Sequence, residues 1–298
     1  MSIRLEMLQV ARLAKSVLGE AAELIASFIS GQQNQDGGFA SRSGASDLYY
    51  TVFGMDCLSA LQIEPDKRKI HSYLNQFGDG AGLDFVHLCC LTHCHAALGN
   101  PDFPTSSIAR NMLRHVQSFR SRDGGFHPVR NHTNGTAYAA FLGTSAHNNL
   151  QAPIENPMDL VQSLKRLETK DGGWANEPGI PGGATNSTAA VLTLLRHLGI
   201  PVNQEHVSSW LMSMHHQQGG FLAMPMAPMP DLLSTATALH ALAGLQSDLN
   251  PIAEPCLDFI DSLWTNQGAF HGNWADDHID CEYTFYGLLA LGHLSVFQ

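Results

Sequence analysis

Positive charge is scarce in this 298-residue sequence: 16 Lys and Arg stand against 27 Asp and Glu, for a formal net charge of −11. That balance argues against a nucleic-acid backbone or an anionic membrane surface as the main partner, because both are held through cationic side chains. Charge of either sign is low, at 14% of residues against 44% hydrophobic ones, which suits a well-buried helical protein. No apolar run is long enough to span a bilayer. Residues Met1 to Leu18 mix charges with apolar residues at helical spacing and lack the uninterrupted apolar core of a signal peptide. The six cysteines, Cys57, Cys89, Cys90, Cys94, Cys256 and Cys281, show no disulfide-framework spacing and no CxxC pair. They read as reduced thiols, and a cytoplasmic location is expected.

A recurring phrase is what the chain does have. Its clearest copy runs Asp171-Gly172-Gly173-Trp174, then a polar Gly/Pro-rich loop, then Asn186-Ser187-Thr188 opening an apolar helix to Leu198. Further copies begin at Asp36-Gly37-Gly38-Phe39, Asp123-Gly124-Gly125-Phe126, Gln218-Gly219-Gly220-Phe221 and Asn266-Gln267-Gly268-Ala269-Phe270. A faded copy lies at Gly78-Asp79-Gly80-Ala81-Gly82. The first glycines at 172, 219 and 268 follow 124 at gaps of 48, 47 and 49. A period of that length signals a repeat architecture, and six repeats across residues 1–298 predict one closed unit.

Each repeat predicts two helices. An amphipathic one precedes each glycine pair: Glu20–Ile29, Arg68–Phe77, Ile108–Phe119, Met158–Leu167, His206–Met214 and Pro255–Trp264. The glycine is expected to end that helix in the left-handed conformation, with the aromatic folding back on the helix end. The second helix is more apolar and richer in small residues: Asp47–Leu61, Asp84–Leu98, Asn134–Ala146, Asn186–Leu198, Asp231–Leu245 and Asp280–Leu294. Helices apolar on most faces are buried. Six buried helices inside six amphipathic ones predict an all-α (α/α)6 toroid, with an open solenoid as the alternative.

The Asp-Gly-Gly-Phe/Trp phrase, the loop and the Asp-x-x-x-Thr helix start resemble the prenyltransferase and squalene-cyclase repeat. The chain is most similar to the β subunit of protein prenyltransferases of the Rab geranylgeranyltransferase type, over essentially its whole length. The resemblance implies an isoprenoid-handling protein, and a helical partner subunit. It also implies a zinc ion held by Asp, Cys and His. Asp231 occupies the first of those places, but Leu233 and Tyr283 stand at the other two, and neither suits a tetrahedral zinc shell. No complete zinc site is expected. The stretch Met224 to Pro230, where the family carries diphosphate-binding cations, has no positive charge. The other branch of the superfamily, the class II terpene cyclases, protonates an alkene or epoxide with an Asp-x-Asp-Asp motif. Asp280 and Glu282 match its first two carboxylates and Tyr283 replaces the last.

In such toroids the first turn of each inner helix faces a central cavity. Registering the repeats on Thr51, Thr136, Thr188, Thr235 and Thr284 predicts a lining of Asp47, Tyr49, Tyr50, Asp84, Val86, His87, His132, Asn134, Gly135, Asn186, Ser187, Asp231, Ser234, Asp280, Glu282 and Tyr283. Asp47, Asp84, Asp231 and Asp280 each open a helix and read first as N-caps, each worth about 1 kcal/mol. Asp280 and Glu282, with Asp276, Asp277 and His278 upstream, could hold a proton or a hard divalent cation. Asp84, His87, Cys90 and Cys94 share a helix face and form a candidate metal set, or pack as small buried residues. Tyr49, Tyr50, Tyr283 and Tyr286 could stabilise a carbocation by their π faces, or simply line a core. Met224, Met226 and Met229 form an adaptable apolar rim or an exposed loop. The expected catalytic residues are Asp280, Glu282, Tyr283 and Asp231, with an isoprenoid or other apolar small molecule in the cavity. A class II-like cyclase using Asp280 and Glu282 is one alternative, and a non-catalytic lipid- or protein-binding toroid is another.

Overall fold

A computed structural model describes residues 2–297, with the backbone alone for Phe297. Helix α1 spans Ile3–Leu18, and the outer helices are α2 (Ala21–Gly31), α4 (Lys67–Asn75), α6 (Ser107–Gln117), α8 (Pro157–Lys165), α10 (Gln204–Ser213) and α12 (Asn250–Ser262). The inner helices are α3 (Leu48–Ala60), α5 (Phe85–Leu98), α7 (Ala137–Asn149), α9 (Thr185–His197), α11 (Leu232–Gly244) and α13 (Cys281–Leu294). Each inner helix packs on the next, and α13 returns to α3, so the ring is a closed toroid and not an open solenoid. Two small antiparallel pairs, Phe39–Ala40 with Ser46–Asp47 and Trp264–Thr265 with Ala269–Phe270, are the only sheets among the described residues.

The recurring phrase has a physical reason in this ring. Its aromatic bonds back across the chain just after the outer helix, pairing Phe39 with Gln33, Phe126 with Arg120, Trp174 with Glu168 and Phe221 with His215. The aromatic N–H then finds the threonine of the inner helix: Phe39 N donates to Thr51 Oγ1 at 3.0 Å, Trp174 N to Thr188 at 2.8 Å and Phe221 N to Thr235 at 2.9 Å. Thr51 and Thr235 close the circuit by donating to the carbonyl at their own helix start, Asp47 O at 2.6 Å and Asp231 O at 2.7 Å, while Thr188 donates back to Trp174 O at 3.4 Å. The rings of Phe39, Phe126 and Phe270 pack directly on inner-helix backbone at Gly54, Gly143 and Gly287, where a Cβ would come within 2.2 to 2.6 Å of the ring. Burying each phenylalanine stabilises the fold by about 1.5–3 kcal/mol.

The motif glycines do not end the outer helices as expected. The residues just past those helices, Gln32, Ser118, Arg166 and Met214, remain right-handed. The first glycine serves the turn that follows, and it lets the loop press on the next outer helix. At Gly268 φ is +84° and an added Cβ would lie 2.3 Å from Leu24 O, so the last repeat seals against α2 and the outer layer closes too.

Helix α1 lies outside the repeat and floors the ring at the C-terminal ends of the inner helices. Lys15 Nζ donates to Leu61 O at 2.9 Å, and Ile3 N to Asn148 Oδ1 at 3.4 Å. Val10 O comes so close to Gly292 that a Cβ there would sit 2.1 Å away. Glu6 Oε1 lies 3.3 Å from His240 Nε2 and is also bonded by Arg196. No helix among the described residues is long and apolar enough to cross a membrane.

Candidate active site at the mouth and centre of the ring

The inner helices open at the end opposite α1, and four of them start on aspartate. Asp47, Asp84, Asp231 and Asp280 accept the backbone N–H of Tyr49, His87, Ser234 and Tyr283 at 2.7, 3.0, 2.7 and 2.9 Å. These are N-caps, satisfying amides that a helix start leaves free. Ser234 Oγ donates to Asp231 Oδ2 at 2.7 Å, so Asp231 is engaged by its own helix, and burial raises its pKa. Asn186 accepts from Thr237 Oγ1 at 2.8 Å and so braces α9 against α11.

The expected acid pair is divided between two partners. Asp280, 4% exposed, takes Arg42 Nε at 2.9 Å, and the same guanidinium reaches Asp276 at 3.1 Å. Arg42 also lies 5.5 Å over the Tyr283 ring. Arg42 comes from the loop between the two strands of the first repeat, 238 residues from Asp280, and nothing in its local sequence marks it. The rim is therefore not solely acid and tyrosine. The guanidinium thus lies between Asp276 and Asp280, within the acidic cluster that could hold a proton or a hard divalent cation.

Glu282 turns the other way. Its Oε1 accepts the Tyr49 hydroxyl at 2.6 Å, and burial lifts its pKa to about 7, against the lowering effect of that bond and with a further push from Asp280. The Tyr49 and Tyr286 phenols are pushed up by burial and stay protonated. Beside them, His87 Nδ1 lies 2.7 Å from Asp84 and Nε2 3.2 Å from Asp47. Against desolvation, those two carboxylates raise its pKa.

Below this layer is a cavity of about 130 Å³. Its aromatic wall is Tyr49, Phe53, Tyr138, Phe141, Phe285 and Tyr286. Tyr49 and Phe53 meet edge-on with centroids 5.0 Å apart, and Phe53 lies 5.6 Å from Tyr286. Cys90 lines the same space, and burial raises its thiol well above the usual range. Tyr50 stands beside Tyr49 at 5.6 Å and does not line the cavity.

The third repeat was registered four residues early. Thr136 is the N-cap of α7, accepting from Ala139 N at 3.1 Å, and so corresponds to Asp47 and not to Thr51. His132, Asn134 and Gly135 consequently lie in the loop before the helix. Tyr138, two residues past the cap like Tyr49 and Glu282, takes the lining place instead. It lines the cavity and is 45% exposed. Met226 is 90% exposed and Met224 53%, on a loop outside the cavity.

The donor set at the zinc place is one aspartate oxygen with Leu233 and Tyr283, which does not fit a tetrahedral N/S shell. No cluster of three or more His, Cys, Asp or Glu that could hold a metal ion occurs among the described residues. At Asp84, His87, Cys90 and Cys94, both His87 nitrogens face carboxylates and Cys94 is fully buried.

The prenyltransferase alpha-alpha toroid domain family matches residues 5–78, 83–203 and 187–296, which is nearly the whole chain. The chain is a member of that family. No curated protein matches the sequence of this toroid. Its fold is shared with a type II terpene cyclase, MstE from Scytonema, in complex with geranylgeranyl dihydroxybenzoate, at TM-score 0.64 and 13% identity over 96% of this chain and 97% of that one. It is also shared with the Candida albicans protein geranylgeranyltransferase-I complexed with GGPP, at TM-score 0.68 and 14% identity over 93% and 91%. A protein from Actinoplanes aligns at TM-score 0.64 and 13% identity over 94% and 99%. At these identities the likeness is one of fold.

Proposed function

We propose that this toroid is an isoprenoid-processing enzyme of the cyclase type, with Glu282 as general acid. The observation that carries the reading is Glu282 itself: a half-buried carboxyl with its pKa lifted to about 7, hydrogen-bonded to Tyr49, which lines the aromatic-walled cavity next to it in the ring. A group poised near working pH is protonated often enough to donate and basic enough to be regenerated. The step is transfer of the Glu282 proton to one carbon of an alkene, or to an epoxide oxygen. A C–H or O–H bond forms while the π or C–O bond breaks, leaving a cation on the more substituted carbon. A second alkene attacks that cation to close a ring, and loss of a proton to the Glu282 carboxylate restores the acid, so the overall change is an isomerisation. Tyr49 steadies the carboxylate as it forms, and the faces of Phe53, Phe285 and Tyr286 offer π density to the cation.

Size bounds the substrate. A cavity near 130 Å³ is comparable to the engineered ~150 Å³ cavity that accepts benzene. It encloses about one isoprene unit, and a longer prenyl chain would extend into the mouth past Tyr138. Acid, aromatic wall and cavity all come from one chain, so the reading needs no partner subunit. The direct test is incubation with prenylated arenes and linear polyprenyl alkenes in D2O, with deuterium read on carbon. The expected result is a cyclised product carrying deuterium from solvent, lost in Glu282→Gln and retained in Asp231→Asn. A product formed equally by Glu282→Gln would refute the assignment.

A competing reading, a non-catalytic lipid-binding toroid, is favoured by the small cavity alone. It predicts binding of the same probes with no deuterium uptake.

A further inference from the structure

The cavity has a second polar end that the proposed chemistry does not use. At its floor, nine residues past the helix starts that carry Tyr49, His87 and Tyr138, stand Asp56 of α3, His93 of α5 and Ser145 of α7, joined by Arg4 of α1 and Asn149. The helix rise puts this layer about 10 Å below the Tyr49 and Glu282 layer. Asp56 is 4% exposed. Its Oδ2 accepts from His93 Nε2 at 2.8 Å. Its Oδ1, facing Arg4 Nη1 at 3.7 Å, has no hydrogen-bond partner among the described residues, and neither does the buried Ser145 Oγ. A buried acceptor and a buried hydroxyl left open in one cavity call for a group that both donates and accepts.

We infer that this floor is a binding subsite for a neutral hydroxyl group at one end of an apolar ligand. The hydroxyl donates to Asp56 Oδ1 and accepts from Ser145 Oγ. Charge selects a neutral group: Arg4 already faces Asp56, so the pair is balanced, and an anionic head would meet the carboxylate at close range. The inference deepens the isoprenoid reading, and rests on the cavity holding such a molecule but not on Glu282 acting as an acid. It sets the polarity of binding: alcohol at the α1 floor, apolar end toward Tyr49 and Glu282.

Calorimetric titration with 3-methyl-2-buten-1-ol and with 2-methyl-2-pentene, its isostere with methyl in place of hydroxyl, tests the subsite. The alcohol is expected to bind about tenfold more tightly, the effect of one charge-assisted hydrogen bond. In Asp56→Asn the amide oxygen must serve His93, which leaves a donor where the acceptor stood, so the preference should shrink severalfold. Ser145→Ala, a milder change, should reduce it less. Unchanged hydrocarbon binding in each variant shows that fold and cavity are kept. Equal binding of both probes, binding of neither, or a preference that survives both substitutions overturns the subsite. Glu282→Gln keeps the preference if the subsite stands, so loss of deuterium uptake with an intact preference, or the reverse, tells the two claims apart.

Discussion

Tyr49 and Glu282 stand 233 residues apart in the chain and share a hydrogen bond of 2.6 Å across the seam where α13 meets α3. That bond ties the first repeat to the last, and ring closure to the proposed acid. Replacing Tyr49 with Phe removes a donor that lowers the Glu282 pKa. The variant is expected to raise that pKa further and to lose roughly 1–2 kcal/mol of stability. Isotope-edited infrared titration and urea unfolding measure the two effects.

The shift at Glu282 links stability to pH. The folded carboxyl holds its proton to about pH 7, while the unfolded one releases it near 4.5. Between those values the native state binds more protons, so the contribution is complete below about 4.5 and is lost as pH rises toward 7. It amounts to roughly 2–3 kcal/mol. Glu282→Gln should flatten this part of the pH–stability curve. His87 adds a decline of the same sign, starting above its ordinary 6.5, and remains in that variant.

Glu6 gives the opposite limb. His240 and Arg196 hold its carboxyl down to about 2 against the effect of burial. The native state then binds fewer protons than the unfolded one between 4.5 and 2, and stability falls as pH drops through that window. Glu6→Gln is expected to cost roughly 2 kcal/mol at pH 7 and to flatten the acid limb. Thermal unfolding from pH 3 to pH 7 shows both effects in one series.

Gly268 and Gly44 separate packing from conformation. Both have positive φ, at +84° and +85°, but a Cβ at Gly44 meets nothing within 4 Å while one at Gly268 lies 2.3 Å from Leu24 O. Gly44→Ala should cost about 1 kcal/mol from backbone strain alone. Gly268→Ala should cost about 3 kcal/mol or more, because α2 must move and the outer layer opens. Denaturant midpoints at equal m-value make the comparison.

Much of this was legible because the repeat writes its own geometry. The aromatic N–H is bonded to the threonine and the first glycine packs on the next outer helix, so their spacing carries the ring. Thr136 misled because a hydroxyl also serves as an N-cap, and a cap four residues before the threonine position looks the same in one dimension. That shift hid Tyr138. Arg42 was illegible because only closure of the ring brings its loop to Asp280. The floor residues Asp56, His93 and Ser145 sit in helices that read as apolar, and the reason for their polarity, the α1 floor, lies outside the period.

The central claim is a protonated Glu282 beside the cavity at neutral pH. Infrared difference titration of protein labelled with 13C at glutamate side-chain carboxyls tests it directly, with Glu282→Gln as the subtraction. The expected result is an acid C=O band that disappears with a midpoint near 7 and is missing from the variant. A Glu282 band that is already carboxylate at pH 5.5, with a midpoint near 4.5, would contradict the account.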